Sequence, residues 1–245
     1  MERWGNKVAV VTGASSGIGL AISKALVSHG LIVVGLARRL AKMENEMKDV
    51  KGTGKFYARE CDITKEEEVV QALEWVKDTL GSFNILINNA GTLIFGKTED
   101  TCVDEMEHVV KLNILGLLYC TKYSITMMKE TQTEAHIINI NSDLGHNVPP
   151  LASGIFLNIY PPTKFAVRAL SETWKNELSN SKIRVTNVSP GLVKTELWDK
   201  ATEANPKVAQ MPALEAQDLS NAIVYVLGAP SHVEINELRL TAKRT

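Results

Sequence analysis

The sequence lacks an excess of charge of either sign. Its 27 Lys and Arg face 28 Asp and Glu, for a formal net charge of -1. No bulk electrostatic attraction to nucleic acid or an anionic membrane surface follows from such a balance. Cysteine is scarce: Cys61, Cys102 and Cys120 are odd in number and form no CxxC pair. A disulfide framework is therefore not expected, and reduced structural thiols are. The five histidines are scattered, without a His/Cys/carboxylate cluster at ligand spacing, so no metal site is expected. No apolar run reaches bilayer length, which argues against a transmembrane helix and a membrane partner. The first residues lack the apolar core of a signal peptide, and Ala242-Lys243-Arg244-Thr245 matches no retention, peroxisomal or prenylation ending. A cytoplasmic protein is the expectation by elimination. No repeat, low-complexity tract or Pro/Gly/Ser linker interrupts the chain, so one domain over residues 1–245 is expected. That length is enough to bury a full core.

Short apolar runs alternate with helical periodicity. Strands are predicted over Lys7–Thr12, Leu31–Ala37, Lys55–Glu60, Asn84–Asn88, His136–Asn141 and Ile183–Ser189, with a last edge strand over Glu237–Thr241. Helices are predicted over Ile18–Ser28 with Gly30 as C-cap, Lys65–Leu80 with Thr64 as N-cap, Tyr160–Asn180 and Leu214–Gly228. Cys102–Lys129 reads as a helical stretch of more than one segment. Such alternation implies an α/β fold: a doubly wound parallel sheet with helices on both faces.

Between the first strand and helix stands Thr12-Gly13-Ala14-Ser15-Ser16-Gly17-Ile18-Gly19. Glycines there allow a sharp turn and close backbone approach, and free N–H groups at the helix start suit a pyrophosphate. The strand-turn-helix context is the one a dinucleotide-binding turn requires, although the spacing is GxxxGxG rather than GxGxxG. The second strand ends in Ala37-Arg38-Arg39. An acid at that point would accept hydrogen bonds from an NAD ribose, whereas an arginine fork suits a 2′-phosphate. NADP(H) is the cofactor expected.

The chain then carries Asn88-Asn89-Ala90-Gly91 after the fourth strand, Ser142 after the fifth, Tyr160-Pro161-Pro162-Thr163-Lys164 as a YxxxK pair, and Pro190-Gly191 with Thr195 after the sixth. In this order the motifs resemble those of the short-chain dehydrogenase/reductase family, in its compact branch of about 250 residues, over nearly the whole chain. The resemblance implies a Rossmann-like fold and interconversion of an alcohol and its carbonyl. It implies Tyr160 as general acid/base, Lys164 as the group that tunes it and holds the nicotinamide ribose, Ser142 as donor to the substrate oxygen, and Asn113 as part of a proton relay. It further implies cofactor contacts from Gly13, Ser15, Ser16, Gly17, Ile18, Gly19, Arg38 and Arg39. Asp62, Ile63, Asn88, Ala90, Gly91, Pro190, Gly191, Val193 and Thr195 complete that set, together with Tyr160 and Lys164. Physically, an unperturbed tyrosine pKa near 10 is a poor match to neutral pH. A lysine at i+4 lies on the same helix face, and its charge favours the phenolate. The two prolines depart from the usual small residues between tyrosine and lysine. They are tolerated if the helix begins at Tyr160 itself.

Residues 148–159, an apolar and proline-containing insertion, and residues 196–212 are expected to cover the substrate, with Ser142, Leu144, Tyr160, Leu197 and Trp198 in contact with it. The insertion and the strand end before Arg38 are similar to a subgroup of farnesol dehydrogenase-like and SDR family member 11-like ketosteroid reductases. That similarity implies a small lipophilic alcohol or carbonyl partner and a homodimer or homotetramer. Two alternatives remain open: an NAD-preferring dehydrogenase, against which Arg38 stands, and a catalytically silent NADP-binding regulator, which loss of Tyr160 or Lys164 would support.

Overall fold

A computed structural model describes residues 1–150 and 154–243. Seven parallel strands form the central sheet in the order β3-β2-β1-β4-β5-β6-β9. They are β1 (Val8–Thr12), β2 (Ile32–Ala37), β3 (Lys55–Glu60), β4 (Ile85–Asn88), β5 (Ala135–Ile140), β6 (Ile183–Pro190) and β9 (Glu237–Leu240). A separate parallel pair, β7 (Val193–Lys194) and β8 (Leu214–Glu215), lies outside the sheet. The sheet carries helices on both faces, which is why its central strands read as unbroken apolar runs rather than alternating ones. Side chains of β1 divide by parity. Ala9 and Val11 join a core with Ile22 and Leu26 of α1 (Gly17–Ser28), Met43 of α2 (Leu40–Met47) and Ile223 of α8 (Ala216–Gly228). Val8 and Val10 join the opposite core with Leu73 of α3 (Glu66–Leu80), Cys120 of α5 (Leu117–Thr131) and Val167 of α6 (Tyr160–Glu177).

Several boundaries differ from the sequence reading. Gly30 lies one residue beyond the cap of α1, at φ +83°, where Gly30 N–H bonds to Val27 O and Leu31 N–H to Leu26 O. This is a Schellman ending. Thr64 does not cap α3. Its hydroxyl instead donates to Asp62 Oδ1 at 2.8 Å, and the helix starts at Glu66 with three glutamates in its first turn, which favour a helix N-terminus electrostatically. The 102–129 stretch divides into α4 (Val103–Val110), a π-helical turn (Lys111–Gly116) and α5. Leu214 and Glu215 form β8 rather than the start of α8, whose first turn is closed by a Glu215/Asp218 capping box. The sequence reading did not include α2 or α7 (Glu196–Ala204).

β1 is flanked by β2 on one side and β4 on the other, so the winding direction of the sheet reverses there. In open α/β sheets the crevice at such a switch point, outside the carboxyl ends of the strands, is where ligands bind.

Candidate active site

The turn from β1 to α1 is held to the end of β4 by side chains the sequence reading did not single out. Thr12 Oγ1 accepts from the backbone N–H groups of Asn89 and Ala90, each at 3.0 Å, and Asn89 Nδ2 donates to Thr12 O at 2.9 Å. Glycine is required on both sides of this clamp. Gly13 sits at φ +66°, and a Cβ there would lie 2.9 Å from Ala90 Cα. A Cβ at Gly19 would lie 2.4 Å from Asn89 Nδ2. Gly19 therefore serves packing and does not line the cleft. Ser16 precedes α1 without a side-chain cap, which leaves the first-turn N–H groups available to an anion.

A cleft of about 360 Å³ opens above this turn. It brings together Gly13, Ser15, Ser16, Gly17 and Ile18 of the turn, Arg38 and Arg39 after β2, Asp62 and Ile63 after β3, Ala90 and Gly91 after β4, and Thr195 and Leu197 after β7. Asn89 lines it; Asn88 does not. The Asn88 amide is buried and donates to Thr121 Oγ1 at 2.9 Å and Asn139 Oδ1 at 2.8 Å. Pro190 ends β6, Gly191 N–H bonds to Leu240 O at 2.7 Å and Val193 is buried in β7, so these three shape the segment behind the cleft. Burial opposes ionisation of Asp62, but the N–H and hydroxyl of Thr64 and the charge of Arg38 outweigh it and hold the carboxyl below its usual range. The absence of an acid after β2 does not extend to space: Glu196, the first residue of α7, reaches Arg39 with Oε2 2.9 Å from Nη2.

At the other end of the crevice α6 begins at Tyr160 itself, with Pro161 and Pro162 in its first turn, where a missing N–H costs nothing. The helical spacing puts Lys164 Nζ 5.7 Å from the Tyr160 ring centre, donating to Ile140 O at 3.0 Å. Both side chains are buried, at 8% and 6% exposure. The phenol interacts with the hydroxyl of Ser142, which lies just past the end of β5 and also accepts from Leu144 N–H at 3.2 Å. Burial pushes the Tyr160 phenol up to about 12, with the Ser142 hydrogen bond opposing it, and burial alone lowers Lys164 to about 8. Desolvation thus outweighs the hydrogen bond from Ser142 at the phenol.

Asn113 sits in the π-helical turn, a feature frequent at functional sites. Its Oδ1 accepts from Thr92 N–H and its Nδ2 donates to Thr92 O, both at 2.9 Å, and to Thr163 Oγ1 at 3.1 Å. It makes no direct bond to Lys164 among the described residues. The two instead flank Gly91, where a Cβ would lie 3.4 Å from Asn113 Oδ1 and 3.9 Å from Lys164 Nζ. A phosphate-receptive turn and an arginine pair therefore line the cleft, and the buried Tyr/Lys/Ser group adjoins it through Gly91.

A family model described as short chain dehydrogenase matches residues 7–206. The chain belongs to this family. As a short-chain dehydrogenase it is an oxidoreductase acting on CH–OH and C=O groups. Its relatives include a farnesol dehydrogenase of Aedes aegypti, 40% identical over 247 residues, with 98% of this chain and 97% of the relative covered. Another is dehydrogenase/reductase SDR family member 11 of Gallus gallus, 38% identical over 256 residues, at 98% and 97% coverage. Among solved structures, the closed form of a serine dehydrogenase complexed with NADP+ superposes with a TM-score of 0.85 at 28% identity, covering 95% of this chain and 94% of that one.

In this short-chain dehydrogenase a second cavity, of about 380 Å³, lies beside Pro161 of α6. Val148, Pro149, Phe156 and Leu157 line it, opposite Gly96 and Lys97, and a bridge between Gly96 and Leu157 ties the two segments. Within the expected cover 148–159, residues 151–153 lie outside the described residues. The other cover, 196–212, forms α7 and a short 3-10 turn, in which Leu197 and Trp198 are half-buried. Leu144 is half-buried in the turn after Ser142. Among the described residues no group of His, Cys, Asp and Glu could hold a metal, and no helix is long and apolar enough to cross a membrane. Cys61 is buried and its thiol is raised to about 12, mainly by that burial, as expected of an inert thiol.

Proposed function

We propose that this chain is an NADP(H)-dependent oxidoreductase that interconverts a lipophilic alcohol and its ketone or aldehyde, with Tyr160 as general acid/base. The observation that carries the reading is the Tyr160–Lys164 pair on the first turns of α6, with Ser142 against the phenol, set next to the arginine-flanked phosphate cleft through Gly91, which lines that cleft and lies against Lys164. The turn residues fit the dinucleotide: the N-terminus of α1 has no side-chain cap, Arg38 and Arg39 suit a 2′-phosphate, and Asp62 and Ile63 line the same cleft. The bound nicotinamide supplies hydride. The chain supplies the rest. Ser142 donates to the substrate oxygen and orients it. Tyr160, which keeps its proton at neutral pH, delivers that proton as the oxygen gains charge. Lys164, a cation at pH 7, lies beside the phenol and favours its ionised form as the proton leaves. Asn113 fixes the 91–92 backbone and the Thr163 hydroxyl next to them.

The apolar wall formed by Val148, Pro149, Phe156 and Leu157, and the similarity to a protein named farnesol dehydrogenase, support a lipophilic substrate of isoprenoid or ketosteroid type. On this reading residues 1–245 act as one domain with covers at 148–159 and 196–212, in a cytoplasmic homodimer or homotetramer. The test is consumption of NADPH and NADH against ketosteroids, isoprenoid aldehydes and small α-dicarbonyls. Turnover should favour NADPH and a lipophilic carbonyl, and should fall about 10²–10⁴-fold in Tyr160→Phe. Turnover that survives this substitution would refute the assignment of Tyr160.

A further inference from the structure

Glu196 lies at the rim of the cleft, in the first turn of α7, where it is held by three other parts of the chain. Its carboxylate accepts from Arg39 through Nη2 at 2.9 Å and Nη1 at 3.3 Å, from Lys42 of α2 at 2.5 Å, and from the Ser16 hydroxyl at 3.2 Å. Arg39 also reaches Ser16 Oγ at 2.8 Å and Ser15 Oγ at 3.3 Å, so the guanidinium joins the phosphate turn to Glu196. The donors from Arg39 and Lys42 hold the acid deprotonated, its carboxyl lowered to about 2. A fork of guanidinium donors, a lysine and a serine hydroxyl around two carboxylate oxygens is the donor set that also suits a phosphate monoester.

We propose that Glu196 is a specificity-determining residue that occupies the 2′-phosphate subsite as an internal anion and is exchanged for the 2′-phosphate of an incoming dinucleotide. The inference rests on the dinucleotide-binding reading above and extends it to Lys42 and Glu196. In the exchange Arg39 and Lys42 pass from the carboxylate to the phosphate, which carries about -1.5 to -2 charge at neutral pH against the single charge of the acid. The start of α7 is then freed from the phosphate turn, so the cover that contains Leu197 and Trp198 loosens when the 2′-phosphate binds. A dinucleotide with a free 2′-hydroxyl has no anion to offer and leaves the Arg39–Glu196 pair closed. Glu196 thus competes with the 2′-phosphate and holds down its affinity, while a dinucleotide that lacks this group is bound as before.

Calorimetric titration of the full chain with adenosine 2′,5′-bisphosphate and with adenosine 5′-monophosphate tests this without turnover. Wild type should prefer the bisphosphate. Glu196→Gln, an isosteric change at a half-exposed site, should tighten the bisphosphate about fivefold, the scale of a favourable surface ion pair, and leave the monophosphate within about twofold. Lys42→Ala should weaken the bisphosphate alone. If Glu196→Gln changes neither ligand, or tightens both alike, the exchange is refuted while the dinucleotide reading stands. If wild type binds neither ligand at millimolar concentration, both readings fall.

Discussion

Replacing Lys164 by methionine should change the pH dependence of folding in a calculable way. Lys164 is 6% exposed, and burial lowers its ammonium from 10.5 to about 8. Because the folded pKa is depressed, the unfolded chain holds the proton more tightly, and the charge-burial cost is complete below pH 8. As pH rises from 8 to 10.5 the unfolded lysine also loses its proton, and the cost disappears. The difference of about 2.5 units corresponds to roughly 3 kcal/mol at pH 7, of which about 2 kcal/mol is gone by pH 9.5. Lys164→Met removes this cost together with the bond to Ile140 O, so its absolute effect at pH 7 is smaller than the full figure. The change with pH is not affected by that bond. The stability of the variant relative to wild type should therefore fall by about 2 kcal/mol between pH 7 and pH 9.5. Urea unfolding followed by tryptophan fluorescence at the two pH values measures it, and Trp174 on α6 supplies a nearby probe. A stability difference that does not change with pH would refute the claim that Lys164 is held as a desolvated cation.

Two further outcomes follow from the same structure. His136 of β5 is lowered to about 3 by burial and by the charges of Arg184 and Arg3; its contribution is intact above pH 6.5 and lost as pH falls toward 3. His136→Asn should therefore lose about 2–3 kcal/mol less stability than wild type between pH 6.5 and 4.5, and equal losses in urea unfolding would contradict this. Gly13→Ala forces a side chain into φ +66° and to 2.9 Å from Ala90 Cα. It should destabilise by about 1–3 kcal/mol, visible as a lowered Tm, and an unchanged Tm would show that the turn can relax.

The parts of this protein legible in its sequence are those whose cause is local. Strands buried on both faces favour apolar runs, so β1 and β2 stand out. Tyr160 and Lys164 are one helical turn apart, and helix geometry alone puts them on one face. The parts that were missed depend on distant partners or on backbone register. α2 buries only Met43 and Met47, and α7 only Ala201, so neither shows a broad apolar stripe. Glu196 meets Arg39 across 157 positions, a pairing no local pattern encodes. The choice between Asn88 and Asn89 depends on which side of β4 each occupies, and the strand's final residue belongs to the sheet network rather than the cleft. The π-helical turn around Asn113 is a change of hydrogen-bond register, not of residue type. The burial that raises the phenol and lowers the ammonium depends on the whole packed fold and has no local pattern either.

In the proposed reaction hydride passes between a nicotinamide and a carbonyl carbon, with Tyr160 as proton donor. NADPH labelled with deuterium at either face of its C4, incubated with the best carbonyl of the panel and followed by mass spectrometry of the alcohol, tests it directly. One deuterium should appear on the carbinol carbon from one labelled face and none from the other, and Tyr160→Phe should form the labelled alcohol about 10²–10⁴-fold more slowly. Alcohol that carries no label from either face, or labelled alcohol made as fast by Tyr160→Phe, would contradict it.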